Sequence, residues 1–237
     1  MPDTPVFSAD TDDRLSPVPP EADADREAEA DAPAVRKRPR PGERRVQILQ
    51  TLASMLEQPG AERVTTAALA ARIGVSEAAL YRHFASKAQM FEGLIEFIEQ
   101  TVFSLANQLI EREAAGDADP RTLGRRQVTR VMYLLVQFAE KNPGMVRVMC
   151  GDALVLEHER LQQRMNQLFD RLELTLRQCL RPLAEALGSP TPTVDAQVRA
   201  AALTAFLQGR LQRYARSGFK RLPSEQLDGT LLLLLGA

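Results

Sequence analysis

Cysteine and histidine are scarce in this chain. Among its 237 residues only Cys150 and Cys179 carry thiols, and only His83 and His158 carry imidazoles. Two cysteines cannot build a disulfide framework or a cysteine-rich metal cluster, and two histidines leave zinc few ligands, so the thiols read as small core hydrophobes. No apolar run reaches the 18 residues a membrane-crossing helix needs. The five leucines Leu231 to Leu235 are too few to span lipid and are assigned to the interior or to a subunit seam. Also missing are a glycine-rich phosphate loop, a nucleophile elbow and paired metal ligands at helical spacing, which leaves no basis for an enzyme, a cofactor or a bound metal. The first 35 residues have no apolar stretch of the kind a secretory signal requires, so a cytoplasmic location without membrane association is expected.

What is present is charge, unevenly distributed. The chain carries 30 Lys/Arg and 31 Asp/Glu, but residues 1 to 35 hold 10 of the acids against 2 Arg, a net of −8. The remaining 28 cations and 21 anions leave residues 36 to 237 at +7. The cations are densest at Arg36, Lys37, Arg38, Arg40, Arg44 and Arg45, opposed only by Glu43. Such a run attracts polyanions by releasing their condensed counterions, although a solubilising linker would look the same.

Residues 1 to 42 are rich in Pro, Asp, Glu and Ala and have few large apolar groups, which predicts disorder. From Glu43 the spacing turns helical. Val46, Leu49, Ala53 and Leu56 predict a helix over 43–57, ended by Pro59-Gly60. Thr65 or Thr66 can cap a second helix carrying Leu69, Ala70 and Ile73, which Gly74 would end in a left-handed conformation. Ser76 can cap a third, over 77–83, and Ser86 starts a long fourth one to about 113. Further helices are predicted over 121–140, 143–155, 157–186, 194–217 and 223–235, with no alternating strand pattern. Leu161, Met165, Leu168, Leu172, Leu176, Cys179 and Leu183 form one buried stripe. The expectation is an all-α protein. A three-helix head over 43–90 follows an acidic tail and basic arm, and precedes a larger helical body over 91–237.

Residues 65–84, TTAALAARIGVSEAALYRHF, satisfy a helix-turn-helix. Ala70 is small where the helices must approach, Gly74 opens the turn, and Leu69, Ile73, Val75 and Leu80 point inward. That leaves Ser76, Glu77, Ala78, Tyr81, Arg82 and His83 outward, a set suited to the major groove. Thr65, Thr66, Lys87, Arg44 and Arg45 flank it as candidate backbone contacts. Tripartite packing alone would not guarantee DNA binding.

Tyr81-Arg82-His83-Phe84 followed by Ser86-Lys87 resembles the end of the recognition helix in the TetR family of DNA-binding regulators. The likeness covers residues 43 to 100. A closer one runs through GVSEAALYRHF (74–84), LIEFIE (94–99), the E-K-N-P-G run (140–144), RLQQRMNQLFDRLE (160–173) and LRQCLR (176–181). It is similar to the nucleoid occlusion factors of that family and covers most of 43–228. The resemblance implies a nucleoid-associated homodimer that binds palindromic sites on double-stranded DNA. It also implies that the body engages the division GTPase FtsZ through a groove between the fourth and fifth helices, where Phe97, Leu134, Lys141 and Asn142 stand in matching positions. Lys141 replaces an expected Arg, and Gln137 a small residue. Read without the resemblance, Phe97 and Leu134 are core residues. Arg125, Arg126 and Arg130 are either a solvated face or a surface for an acidic partner. Two other functions fit the pattern less fully: a ligand-gated repressor, and a purely structural interaction protein.

Overall fold

A computed structural model describes residues 42–58, 64–116 and 119–236. The expectations for residues 1–41, including Arg36, Lys37, Arg38 and Arg40, and the break at Pro59-Gly60 lie outside them. Among the described residues every regular element is a helix, as the all-α expectation required.

The first helix, α1 (Glu43–Leu56), buries Ile48, Leu52, Ala53 and Leu56. Its inner stripe is rotated from the predicted one, and Val46 stands 53% exposed. Ile48, Leu52 and Leu56 at strict steps of four outweigh the looser set through Val46. Helix α2 (Thr66–Ile73) starts where the Thr65 hydroxyl accepts a hydrogen bond from the Ala68 amide. It stops at Gly74, whose φ of 76° permits the left-handed turn and sends the Val75 amide back to the Ala70 carbonyl. Helix α3 (Glu77–Tyr81) is capped by Ser76 and ends two residues earlier than predicted, because Arg82 to Phe84 close a tight turn on the Leu80 carbonyl. Ser86 caps α4 (Lys87–Ala114), which runs unbroken for 28 residues.

Helices α5 (Pro120–Lys141) and α6 (Pro143–Met149) are separated only by Asn142, and each has proline at its start, where a missing N–H costs nothing. The helix predicted over 143–155 is cut short at Gly151 (φ 82°), followed by a 3-10 turn at Asp152–Leu154. Helices α7 (Glu159–Ala186), α8 (Pro192–Arg216) and α9 (Leu227–Leu235) complete the chain. Every member of the predicted α7 stripe is buried. The terminal leucine run divides by helical phase: Leu231 and Leu235 are buried, while Leu232 and Leu233 face outward.

The interior is continuous from α1 to α9 and consists of aliphatic and aromatic side chains packed between α4, α5, α7 and α8. The thiols belong to it. Burial pushes Cys150 up to about 12, helped by the Asp152 charge and opposed by Arg216, and pushes Cys179 up to about 11. At Gly144 the start of α6 lies so close to α1 that a Cβ would sit 2.0 Å from the Ala53 carbonyl oxygen. That contact ties the first helix to the later ones. No described helix is long and apolar enough to cross a membrane, and no described cluster of His, Cys, Asp and Glu could hold a metal ion.

Candidate nucleic-acid interface

The α2–α3 unit is rigid for local reasons. Leu69, Ala70 and Leu80 are buried and Ile73 and Val75 half-buried, so the inner faces set the crossing while Gly74 keeps the connection tight. A second tie spans the turn, where the Thr66 hydroxyl donates to Glu77 Oε2 at 2.6 Å. Thr66 and Glu77, both expected at DNA, are therefore committed first to each other. Thr65 and Ser76 accept amide hydrogens as caps, which leaves each hydroxyl hydrogen free to donate outward.

The outward face of α3 and its closing turn carries Ala78, Tyr81, Arg82 and His83, all exposed, with Tyr81 at 45%. The arrangement presents an aromatic hydroxyl, a guanidinium and an imidazole side by side on a short helix whose opposite face is locked. Such groups can donate to base edges and phosphates in a major groove.

Three flanking cations have partners within the chain. Arg44 is half-buried and donates to Gln47 Oε1 at 2.7 Å. The Arg45 guanidinium lies 4.3 Å from the centroid of the Phe84 ring and donates to the His83 carbonyl at 3.2 Å. Lys87, the first residue of α4, pairs its ammonium with the Glu157 carboxylate, ahead of α7, and sits 5.7 Å from the Phe91 ring centroid. A phosphate that takes Lys87 competes with Glu157 for its charge. Spacing alone could not signal the pairings of Arg45 and Lys87, because their partners lie 38 and 70 residues away in the chain.

A second surface lies between α4 and α5. A groove of about 570 Å³ is lined by Leu105, Leu109, Leu134 and Tyr133, with Arg112 and Arg130 at its rim and Gln137 at one end. It continues past Arg130 and Tyr133 into a polar stretch bordered by Arg125, Arg126 and Asp228. Of the four residues expected there, Leu134 lines the groove. Phe97 is 36% exposed on α4 and is not a core residue, and Lys141 is exposed at the end of α5. Asn142 is half-buried, and its amide donates to the Phe138 carbonyl at 2.8 Å, so it serves as the cap of α5. Sequence reasoning missed Leu105, Leu109 and Tyr133. The signal was available, since 97, 101, 105 and 109 recur at steps of four along α4 and share a face. The arginine patch is partly neutralised, because Glu113 pairs with Arg126 at 3.1 Å and Arg130 at 3.6 Å. Tyr133 donates to Asp228, and that hydrogen bond holds its phenol above the usual range.

A helix-turn-helix with an exposed recognition face, followed by helices that extend its interior and build an outer groove, defines a DNA-binding regulator of the TetR type. Residues 48–94 match the family model "Bacterial regulatory proteins, tetR family", and residues 121–235 match "Tetracyclin repressor-like, C-terminal domain". Nucleoid occlusion factor SlmA of Photobacterium profundum is 51% identical over 188 residues, covering 78% of this chain and 90% of that protein. Its counterpart in Vibrio cholerae is 50% identical over 192 residues, covering 81% and 93%. The chain belongs to the SlmA family of nucleoid occlusion factors, which decides between the DNA-binding readings. The fold is similar to that of the transcriptional regulator FadR of Bacillus subtilis, solved with stearoyl-CoA (TM-score 0.62, 14% identity, covering 81% of this chain and 97% of that one). It is also similar to PfmR of Thermus thermophilus (TM-score 0.60, 22% identity, covering 80% and 94%).

Proposed function

We propose that the chain binds specific sites on double-stranded DNA as a homodimer through residues 43–90, and that residues 91–237 dimerise and antagonise FtsZ, so that division filaments do not assemble over the nucleoid. The observation that carries the DNA half is the joint exposure of Tyr81, Arg82 and His83 on a helix whose inner face is fixed. For the homodimer, the support is an apolar face of α8. Val194 and Val198 are 58% and 62% exposed, Ala202 and Ala205 continue the same side, and a second copy would remove this area from water. The FtsZ half rests on the family together with the α4–α5 groove, whose apolar floor and arginine rim suit a short peptide with apolar anchors and acidic flanks. A cytoplasmic, nucleoid-bound location follows from this reading.

The test is sedimentation of FtsZ polymer with the chain, with and without duplexes recovered by its own pull-down from fragmented chromosomal DNA. The parent should reduce the pelleted polymer, more so with the duplex. Phe97→Asp should keep duplex binding and lose the effect on polymer. Loss of both activities in Phe97→Asp would assign Phe97 to the fold instead of the partner surface, and an inert parent would end the FtsZ reading.

A further inference from the structure

Arg45 lies in the basic arm and at the recognition turn at once, and its contacts separate two roles. The recognition helix has five residues, too few to hold its shape by its own hydrogen bonds, so its orientation depends on neighbours. At its end the amides of His83 and Phe84 turn back to the Leu80 carbonyl at 2.9 and 3.1 Å, which leaves the His83 carbonyl pointing out of the turn. Arg45, on α1, donates to that carbonyl and lays its guanidinium over Phe84, a ring only 1% exposed. A planar guanidinium can stack on a ring and donate in its own plane together, which an ammonium on a flexible stem cannot. A cation there also opposes the negative end of the short helix.

We propose that Arg45 is a positioning residue for DNA recognition: it clamps the closing turn of α3 and so sets how Tyr81 and Arg82 meet the bases, and it is not a phosphate ligand. This rests on the DNA-binding reading above. On that reading the charge of Arg45 matters less than its shape, and loss of the clamp reduces discrimination between sequences while leaving general attraction to duplex intact.

Arg45→Lys and Arg45→Ala separate the roles. The measurement is the affinity of the full chain for the pulled-down duplex and for a scrambled duplex of equal composition, each across a salt series. Arg45→Lys should bind the scrambled duplex within about twofold of the parent with the same salt slope, while its preference for the recovered site drops by about tenfold, the loss of one hydrogen bond and one ring contact. Arg45→Ala should lose the same preference, with its slope changed by less than about half a unit. The proposal is overturned if Arg45→Lys retains the parent's preference, if it weakens on both duplexes alike, or if Arg45→Ala shallows the slope by about 0.9, the signature of one lost phosphate contact. A parent with no preference between the duplexes would sink the DNA-binding reading itself, and that failure is visible before any variant is made.

Discussion

Glu157→Gln is expected to make the chain bind DNA more tightly, although Glu157 lies in the segment ahead of α7 and outside the recognition unit. Lys87 and Glu157 form an ion pair with side chains 27% and 11% exposed. Exposed pairs contribute about 0–1 kcal/mol, whereas removing one partner of a buried pair costs about 3–5 kcal/mol. This pair lies between the two, and the partial exposure of Lys87 lets water take over much of the loss. Its separation when a phosphate claims Lys87 is set at about 1 kcal/mol, so removing the competing carboxylate should raise duplex affinity roughly fivefold. Fluorescence anisotropy of a labelled duplex across a salt series gives the number. Lys87→Ala alone should weaken binding and shallow the slope by about 0.9, one phosphate contact. Lys87→Ala with Glu157→Gln should bind like Lys87→Ala, because the carboxylate acts only through the ammonium. The reasoning is refuted if Glu157→Gln binds like the parent. It is equally refuted if the fivefold gain persists without Lys87, which would make it a general effect of one fewer negative charge.

Three further predictions concern the interior. Gly144→Ala places a Cβ 2.0 Å from the Ala53 carbonyl oxygen and 2.9 Å from its carbon, so backbone must move. The cost is about 3 kcal/mol, near the upper end for overpacking, and should lower Tm by about 6–12 °C in a thermal melt; a shift under about 2 °C would show that α1 and α6 part freely. The thiol of Cys150, pushed up to about 12, and that of Cys179, pushed up to about 11, stay protonated when folded, whereas an unfolded-chain thiol ionises near about 8.5. Iodoacetamide at about pH 8.5 should therefore label the chain fast in denaturant and slowly without it. The sign for stability follows: the unfolded state releases its protons first, so stability falls as pH rises from about 9 to about 11. Burial raises the phenol of Tyr214 in the same direction, reinforced by the Glu140 and Glu57 charges. A urea midpoint equal at about pH 7.5 and 10.5 would contradict this.

Local signals carried most of the fold. Thr65, Gly74, Ser76 and Ser86 do their work within four residues of themselves, and the caps and the turn they predict are present. The α7 stripe was legible because seven apolar residues at steps of three and four leave a helix one way to bury them. Val46 misled because α1 is short and two overlapping phases compete; the choice belongs to what packs on it, including Gly144. Gly151 was passed over within 143–155 because the flanking apolar residues kept helical spacing across it. The site divides the same way. Tyr81, Arg82 and His83 could be placed outward from periodicity alone. For Arg44, Arg45, Lys87 and Asn142 the sequence shows a polar group but not which of several partners it meets, and two of those partners, His83 and Glu157, lie far away in the chain.

The long helix α4 gives those placements a common consequence. Lys87 is its first residue, beside the recognition turn, and Leu105 and Leu109 lie further along it at the partner groove, with Phe97 exposed between the two. At about 1.5 Å per residue, Lys87 and Leu109 are roughly 33 Å apart along one rod, with no proline between them to bend it. On the proposed function, a copy seated on DNA therefore holds its groove at a set distance from the duplex. Inhibition by such a molecule needs no change of shape. On that reading it follows from where the groove is held, because binding to chromosomal sites raises the local concentration of grooves next to the chromosome and leaves it low elsewhere. A conformational contribution would have to pass through the exchange at Lys87 and Glu157, which joins the start of the rod to the segment preceding α7. The effect of Glu157→Gln on FtsZ polymer therefore separates the two. If position alone matters, the variant acts on polymer as the parent does once both are saturated with duplex, whereas a requirement for the exchange would let Glu157→Gln act without DNA.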